Sequence, residues 1–276
     1  MMKITDTVKH LIIINVIFFA ATYFIGEETM YNIFALHAPT SDKFQFWQPA
    51  THMFMHGSVQ HILFNMLGLW MFGSPLDHYW GTNKFLFFYF SCGIGAAALH
   101  LGVNYFEMQQ VLESVAGLNL SHDTVRQILN IDFIVNNYPD TEIFRQHATR
   151  ILQAEGKFHL LQQYPGAAQG LFDAAIQNQS PMLGASGALY GVIVAFAFMF
   201  PNAELMMIFL PIPIKAKYFV PLLLVGDLFL GLRGQSIFGS QWEDGIAHFA
   251  HLGGALIGFI MMMYWRNKRF NHNRWN

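Results

Sequence analysis

Residues 247–265 read Ala247-His248-Phe249-Ala250-His251-Leu252-Gly253-Gly254-Ala255-Leu256-Ile257-Gly258-Phe259-Ile260-Met261-Met262-Met263-Tyr264-Trp265. No Asp, Glu, Lys or Arg interrupts these 19 residues, and Arg266, Lys268 and Arg269 follow at once. At about 1.5 Å of rise per residue, such a run matches the roughly 30 Å apolar core of a bilayer. The stretch reads as a membrane span with a basic anchor at its end.

Five more windows of this kind lie upstream, at about 10–26, 57–74, 85–102, 182–200 and 218–233. Asp227 is the exceptional charge inside them. The first window is long for a secretory signal and lacks a small-x-small cleavage site before Gly26-Glu27-Glu28, so it reads as an anchor. Composition agrees with a polytopic membrane protein. Of 276 residues, 54% are hydrophobic and 12% charged, against about 25% charged in soluble domains. A net charge of -2 offers no field for nucleic acid. Cys92, the single cysteine, excludes an internal disulfide and a cysteine-only metal site.

Charge asymmetry gives the expected orientation, since cytoplasmic flanks carry excess Lys and Arg. With the N-terminus inside, nine basic residues flank the inner side: Lys3, Lys9, Lys84, Lys215, Lys217, Arg266, Lys268, Arg269 and Arg274. The short outer loops hold two, Lys43 and Arg233. Both termini are therefore expected in the cytoplasm. The chain divides into residues 1–102 with spans 1–3, an outer segment 103–181, residues 182–265 with spans 4–6, and a basic tail 266–276. The outer segment is polar and too long for an ordinary loop. Asp140 is placed as a helix N-cap, with Ile143, Phe144, His147, Ile151 and Leu152 following at helical spacing, so a small helical subdomain is expected. A partly ordered spacer is the alternative.

Polar side chains at membrane depth are costly and so point to function. The second span carries His61 and Asn65, the fourth opens with Gly184-Ala185-Ser186-Gly187, and the sixth opens with His248-Phe249-Ala250-His251. All three spans run from outside to inside, so His61, Asn65, Ser186 and His251 share the outer third of the bilayer. His251, Gly254 and Gly258 line one helix face, and Gly187 and Gly191 form a small-xxx-small pair. Close packing of the fourth and sixth helices would bring Ser186 to His251. Tyr190, four residues after Ser186, could then pack on the imidazole.

The chemistry expected of such a group is acyl transfer. A serine hydroxyl needs a base, and histidine titrates near working pH. No acidic residue is expected at the matching depth in the outer third, so a Ser-His dyad is expected rather than a triad. His61, Asn65 and the backbone N–H of Ser186 are the candidate oxyanion donors. His52 and His56 read better as structural, His248 as facing elsewhere, and Asp227 as a cap or an interhelical bond.

Gly184-Ala185-Ser186-Gly187, Ala250-His251-x-x-Gly254-x-x-x-Gly258, His61-Ile62-Leu63-Phe64-Asn65 and the stretch Phe200-Pro201-Asn202 to Lys217 together resemble the rhomboid intramembrane proteases. The resemblance covers roughly residues 45–100 and 182–265. It implies an all-α fold, a six-transmembrane-helix rhomboid-like bundle around a water-filled cavity open to the outside, here with a helical extramembrane insertion between the third and fourth helices. It implies a serine endopeptidase with Ser186 and His251 catalytic, His61, Asn65 and Ser186 in the oxyanion site, and Tyr190, Gly184, Gly187 and Gly254 in support. No cofactor or metal is implied. The expected partners are transmembrane protein substrates, with small residues at the scissile bond, and the lipid bilayer; oligomeric state stays open. A bacterial inner membrane is the expected location. The loop at about 234–245, with Phe238 and Trp242, resembles the family's cap over the site, and Phe44, Phe46 and Trp47 its outer-leaflet loop. Asp77 stands where many relatives carry Glu.

Two rivals remain at this level. His52-x-x-x-His56 and His248-x-x-His251 have ligand-like spacing, as in a membrane metalloenzyme, although no His-Glu-x-x-His motif is present. A catalytically inactive rhomboid-like binder of membrane proteins is the other.

Overall fold

The computed structural model describes residues 3–135, 138–164, 166–207, 210–233 and 246–269. They are mostly helical: α1 (Asp6–Ile25), α2 (Glu27–Phe34), α3 (Gln48–Thr51), α4 (Val59–Gly68), α5 (Ser74–Trp80), α6 (Thr82–Ser114), α7 (His122–Leu129), α8 (Thr141–Ala154), α9 (Leu160–Gln163), α10 (Ala167–Gln179), α11 (Ser186–Met199), α12 (Ala216–Leu232) and α13 (Ile246–Arg269). Two compact units emerge. The first comprises Met1–Leu36, Phe46–His100 and Met182–Asn276; the second comprises His37–Gln45 and Leu101–Pro181.

Among the described residues, three helices are long and apolar enough to cross a membrane, within Asp6–Ile25, Thr82–Ser114 and His248–Arg266. Ser186–Met199 is a shorter apolar helix. In the first unit, Leu69, Leu76, Phe85, Phe88, Tyr89, Val192 and Ala195 are buried together. Large apolar side chains also point outward, among them Ile17, Phe24, Leu63, Leu222 and Ile260. In water such a surface would be costly; against lipid it is the matching solvent.

Local chemistry explains the helix boundaries. Ser58 caps α4, its Oγ accepting from the His61 N–H at 3.1 Å. A π-helical turn, Leu69–Gly73, separates α4 from α5. Pro75 lies just beyond it and has no N–H for the carbonyl one turn back, so the ladder reorganises there. The window expected at 57–74 is thus a helix with a widened turn that continues to Trp80. The third window is also longer than expected, because α6 runs on to Ser114. The fourth is shorter, because Gly184 adopts φ +115° and the helix cannot begin before Ser186.

The described residues are mostly helical, as expected, but they also include two small antiparallel hairpins that the all-α expectation did not contain. β1 (Ile134–Val135) pairs with β2 (Tyr138–Pro139), and β3 (Glu204–Met207) with β4 (Leu210–Lys215). Pro211 and Pro213 forbid a helix through 210–215 and suit a strand whose N–H groups need no partner on one edge.

The second unit has its own core, built on Leu118, Ile128, Phe133, Phe144, Leu152 and Leu171. Asp140 caps α8 as its position predicts: its side chain accepts from the N–H groups of Glu142 and Ile143, both at 2.9 Å. Ser121 does the same for α7, accepting from Thr124 N–H at 3.1 Å.

Candidate active site

Ser186 is the first residue of α11, and the segment before it is held by backbone bonds. Met182 and Leu36 exchange two hydrogen bonds, at 2.8 and 2.9 Å, and Gly184 N–H donates to the His52 carbonyl at 3.0 Å. Gly184 is required twice over. Its φ of +115° strains any residue with a side chain, and a Cβ there would lie 2.7 Å from His61 Nε2. The absence of a side chain lets the His61 ring sit beside the start of α11.

His251 lies on α13, which packs closely against α11 through glycine. A Cβ on Gly254 would lie 1.8 Å from the Gly187 carbonyl oxygen, and one on Gly258 would lie 2.8 Å from Gly191 Cα. Backbone therefore meets backbone, as small-xxx-small spacing allows. At this separation His251 Nε2 stands 2.8 Å from Ser186 Oγ. Tyr190, one turn along α11 from Ser186, stacks on the His251 ring with centroids 4.3 Å apart and planes 9° from parallel.

His61 and Asn65 sit one turn apart on α4. Asn65 is buried, and its Nδ2 has no hydrogen-bond partner among the described residues. A buried amide donor with no protein acceptor is available to a group bound in the site. The His56 ring meets His61 edge-on at 5.0 Å. His52 is fully buried, with Nδ1 at 3.1 Å from the Gln48 carbonyl. Asp77 is buried too, with Oδ1 unpartnered among the described residues. Phe46 and Trp47 are exposed, and Phe44 is half-buried. The expected cap residues Phe238 and Trp242 lie outside the described residues.

Two sequence expectations fail here. No acid was expected beside the imidazole, yet Asp227 of α12 places Oδ2 2.9 Å from His251 Nδ1. His248 was expected to face elsewhere, yet its Nδ1 lies 2.5 Å from Asp227 Oδ1. For each, the sequence held a hint of depth or face but not of the partner helix. Asp227 stands five residues before the end of α12 at Leu232, about 7–8 Å along the axis, and the orientation expected from the basic residues would put that end on the same side as Ser186. His248 and His251 are i, i+3 and hence neighbours on a helix surface. Among the described residues, Asp227, His248 and His251 also form the only group of three side chains whose ligating atoms could converge on a metal ion. His52 and His56, the other half of the metalloenzyme alternative, do not join it.

A serine and a histidine thus stand in hydrogen-bonding contact on two apolar helices held together by glycine. The model described as the Rhomboid domain matches residues 43–117 and 148–268, and the chain belongs to the rhomboid family. Proteins named Rhomboid protease GlpG from Salmonella paratyphi A, Salmonella typhi and Salmonella newport are each 35% identical to it over 71 residues. That match spans 26% of this chain and 26% of each relative, about a quarter of their length.

Proposed function

We propose that this chain is an intramembrane serine endopeptidase that cleaves transmembrane segments of other membrane proteins. The 2.8 Å contact between Ser186 Oγ and His251 Nε2 carries the reading. In it, six transmembrane helices keep both termini on the inner side of a bacterial inner membrane. Residues 103–181 are an outer-face insertion between the third and fourth spans. Water enters the site from the outer face.

Ser186 Oγ attacks the scissile carbonyl carbon while its proton passes to His251 Nε2. The carbonyl electron pair moves onto oxygen, where Asn65 Nδ2, His61 and the Ser186 N–H receive it. The unpartnered Asn65 amide supports this role, as does the α11 N-terminus, whose first amides lack helical partners. Collapse breaks the C–N bond, and His251 returns the proton to the leaving amine. Water then hydrolyses the acyl ester by the same exchange in reverse.

The test is cleavage of a tagged single-span substrate by purified full chain in liposomes. Ser186→Ala and His251→Ala are each expected to reduce cleavage to background with the fold retained, and Ser186→Ala to abolish labelling by a fluorophosphonate. Cleavage by Ser186→Ala at the wild-type rate would remove the mechanism.

A further inference from the structure

Asp227 is a buried carboxylic residue on an apolar helix, which is costly wherever the surrounding medium is lipid. The plain explanation is glue between α12 and α13. For that, one bond to His248 would be enough. Instead the two carboxylate oxygens are divided, Oδ1 to His248 and Oδ2 to His251. The imidazole that Asp227 engages at Nδ1 is the one that faces Ser186 with Nε2.

This division has a chemical consequence. A carboxylate only accepts hydrogen bonds, so the His251 proton must sit on Nδ1. Nε2 then presents its lone pair to the Ser186 hydroxyl. A lone imidazole could hold its proton on either nitrogen, and with Nε2 protonated it could not take a proton from serine. His248, donating to Oδ1, stops the carboxylate from turning away. When Nε2 gains the serine proton, the negative charge at 2.9 Å also stabilises the imidazolium.

We propose that Asp227 is a positioning residue for His251, and that His248 holds Asp227 in place, so that the site works as a Ser186-His251-Asp227 triad extended by a second histidine. The inference rests on the serine protease reading above and deepens it.

The experiment measures kcat and KM on a single-span substrate for Asp227→Asn, Asp227→Ala and His248→Ala, with Ser186→Ala as reference and thermal unfolding recorded for each. Asp227→Asn keeps the shape but loses the charge and one acceptor. Its kcat is expected to fall at least about tenfold, toward the ~10⁴-fold loss seen when a triad carboxylate becomes an amide, with KM nearly unchanged. His248→Ala is expected to cost only roughly 2–10-fold, the weight of one hydrogen bond. Added formate, but not chloride at equal ionic strength, is expected to restore part of the Asp227→Ala rate, which a purely structural role would not allow. Wild-type kcat in Asp227→Asn while Ser186→Ala is inactive would overturn the inference and leave the protease reading intact. So would losses that track early melting in every variant, with no formate rescue. Chelator-sensitive wild-type activity restored by zinc would also overturn it, because the three groups would then be metal ligands.

Discussion

Gly254 and Gly187 stand so close that a single methyl group between them would occupy the space of the Gly187 carbonyl oxygen. The contact is backbone on backbone, with no flexible side chain able to yield. Gly254→Ala must therefore push α13 away from α11. Overpacking of this kind costs about 1–3 kcal/mol, and a displacement near 1 Å between reacting groups can cost about 10²-fold in rate. A lowered melting temperature together with a kcat reduced by roughly 10–10²-fold is expected, measured on purified protein.

Asn65→Ala removes one buried amide donor and leaves the packing of α4 largely alone. If Asn65 faces the developing oxyanion, kcat should drop by about 10²–10³-fold with little change in KM. A change confined to KM would assign Asn65 to ground-state binding instead. His61→Ala should behave in the same direction, since its ring sits beside Gly184 and Ser186.

The stack of Tyr190 on His251 yields an ordered pair of outcomes. Tyr190→Phe keeps the stacked ring and loses only the hydroxyl. Tyr190→Ala loses both. An aromatic pair is worth about 0.5–1.5 kcal/mol, so the alanine variant should be slower than the phenylalanine variant by roughly 2–10-fold in kcat. Equal rates for the two variants would show that the stacked ring does not orient His251.

In the second unit, Asp140→Ala leaves two α8 amides without their acceptor. Loss of such a cap costs about 0.5–2 kcal/mol. Amide hydrogen exchange in the first turn of α8 should accelerate by roughly 2–30-fold, read by mass spectrometry on wild type and variant.

Much of the architecture was legible in residue order alone. Apolar length and the scarcity of charge announced a membrane protein before any fold was known. The approach of Ser186 to His251 followed from the spacing of Gly187, Gly191, Gly254 and Gly258, because glycine spacing dictates where two helix backbones can touch. The Asp140 cap was readable because capping is local, involving amides two and three residues away. Less legible were the π turn at Leu69–Gly73 and the hairpin of β3 and β4, where apolar composition masked a break in the helix.

Sequence by itself determined the membrane class of this protein, the pairing of its serine with a histidine, and the helix faces that carry them. Tertiary structure alone decided that Asp227 and His248 join them. Periodicity states which residues share a face of one helix, but not which neighbouring helix that face meets, nor at what rotation. The packing of α12 against α13 settles both, and it turned an isolated acid on an apolar helix into the partner of two imidazoles.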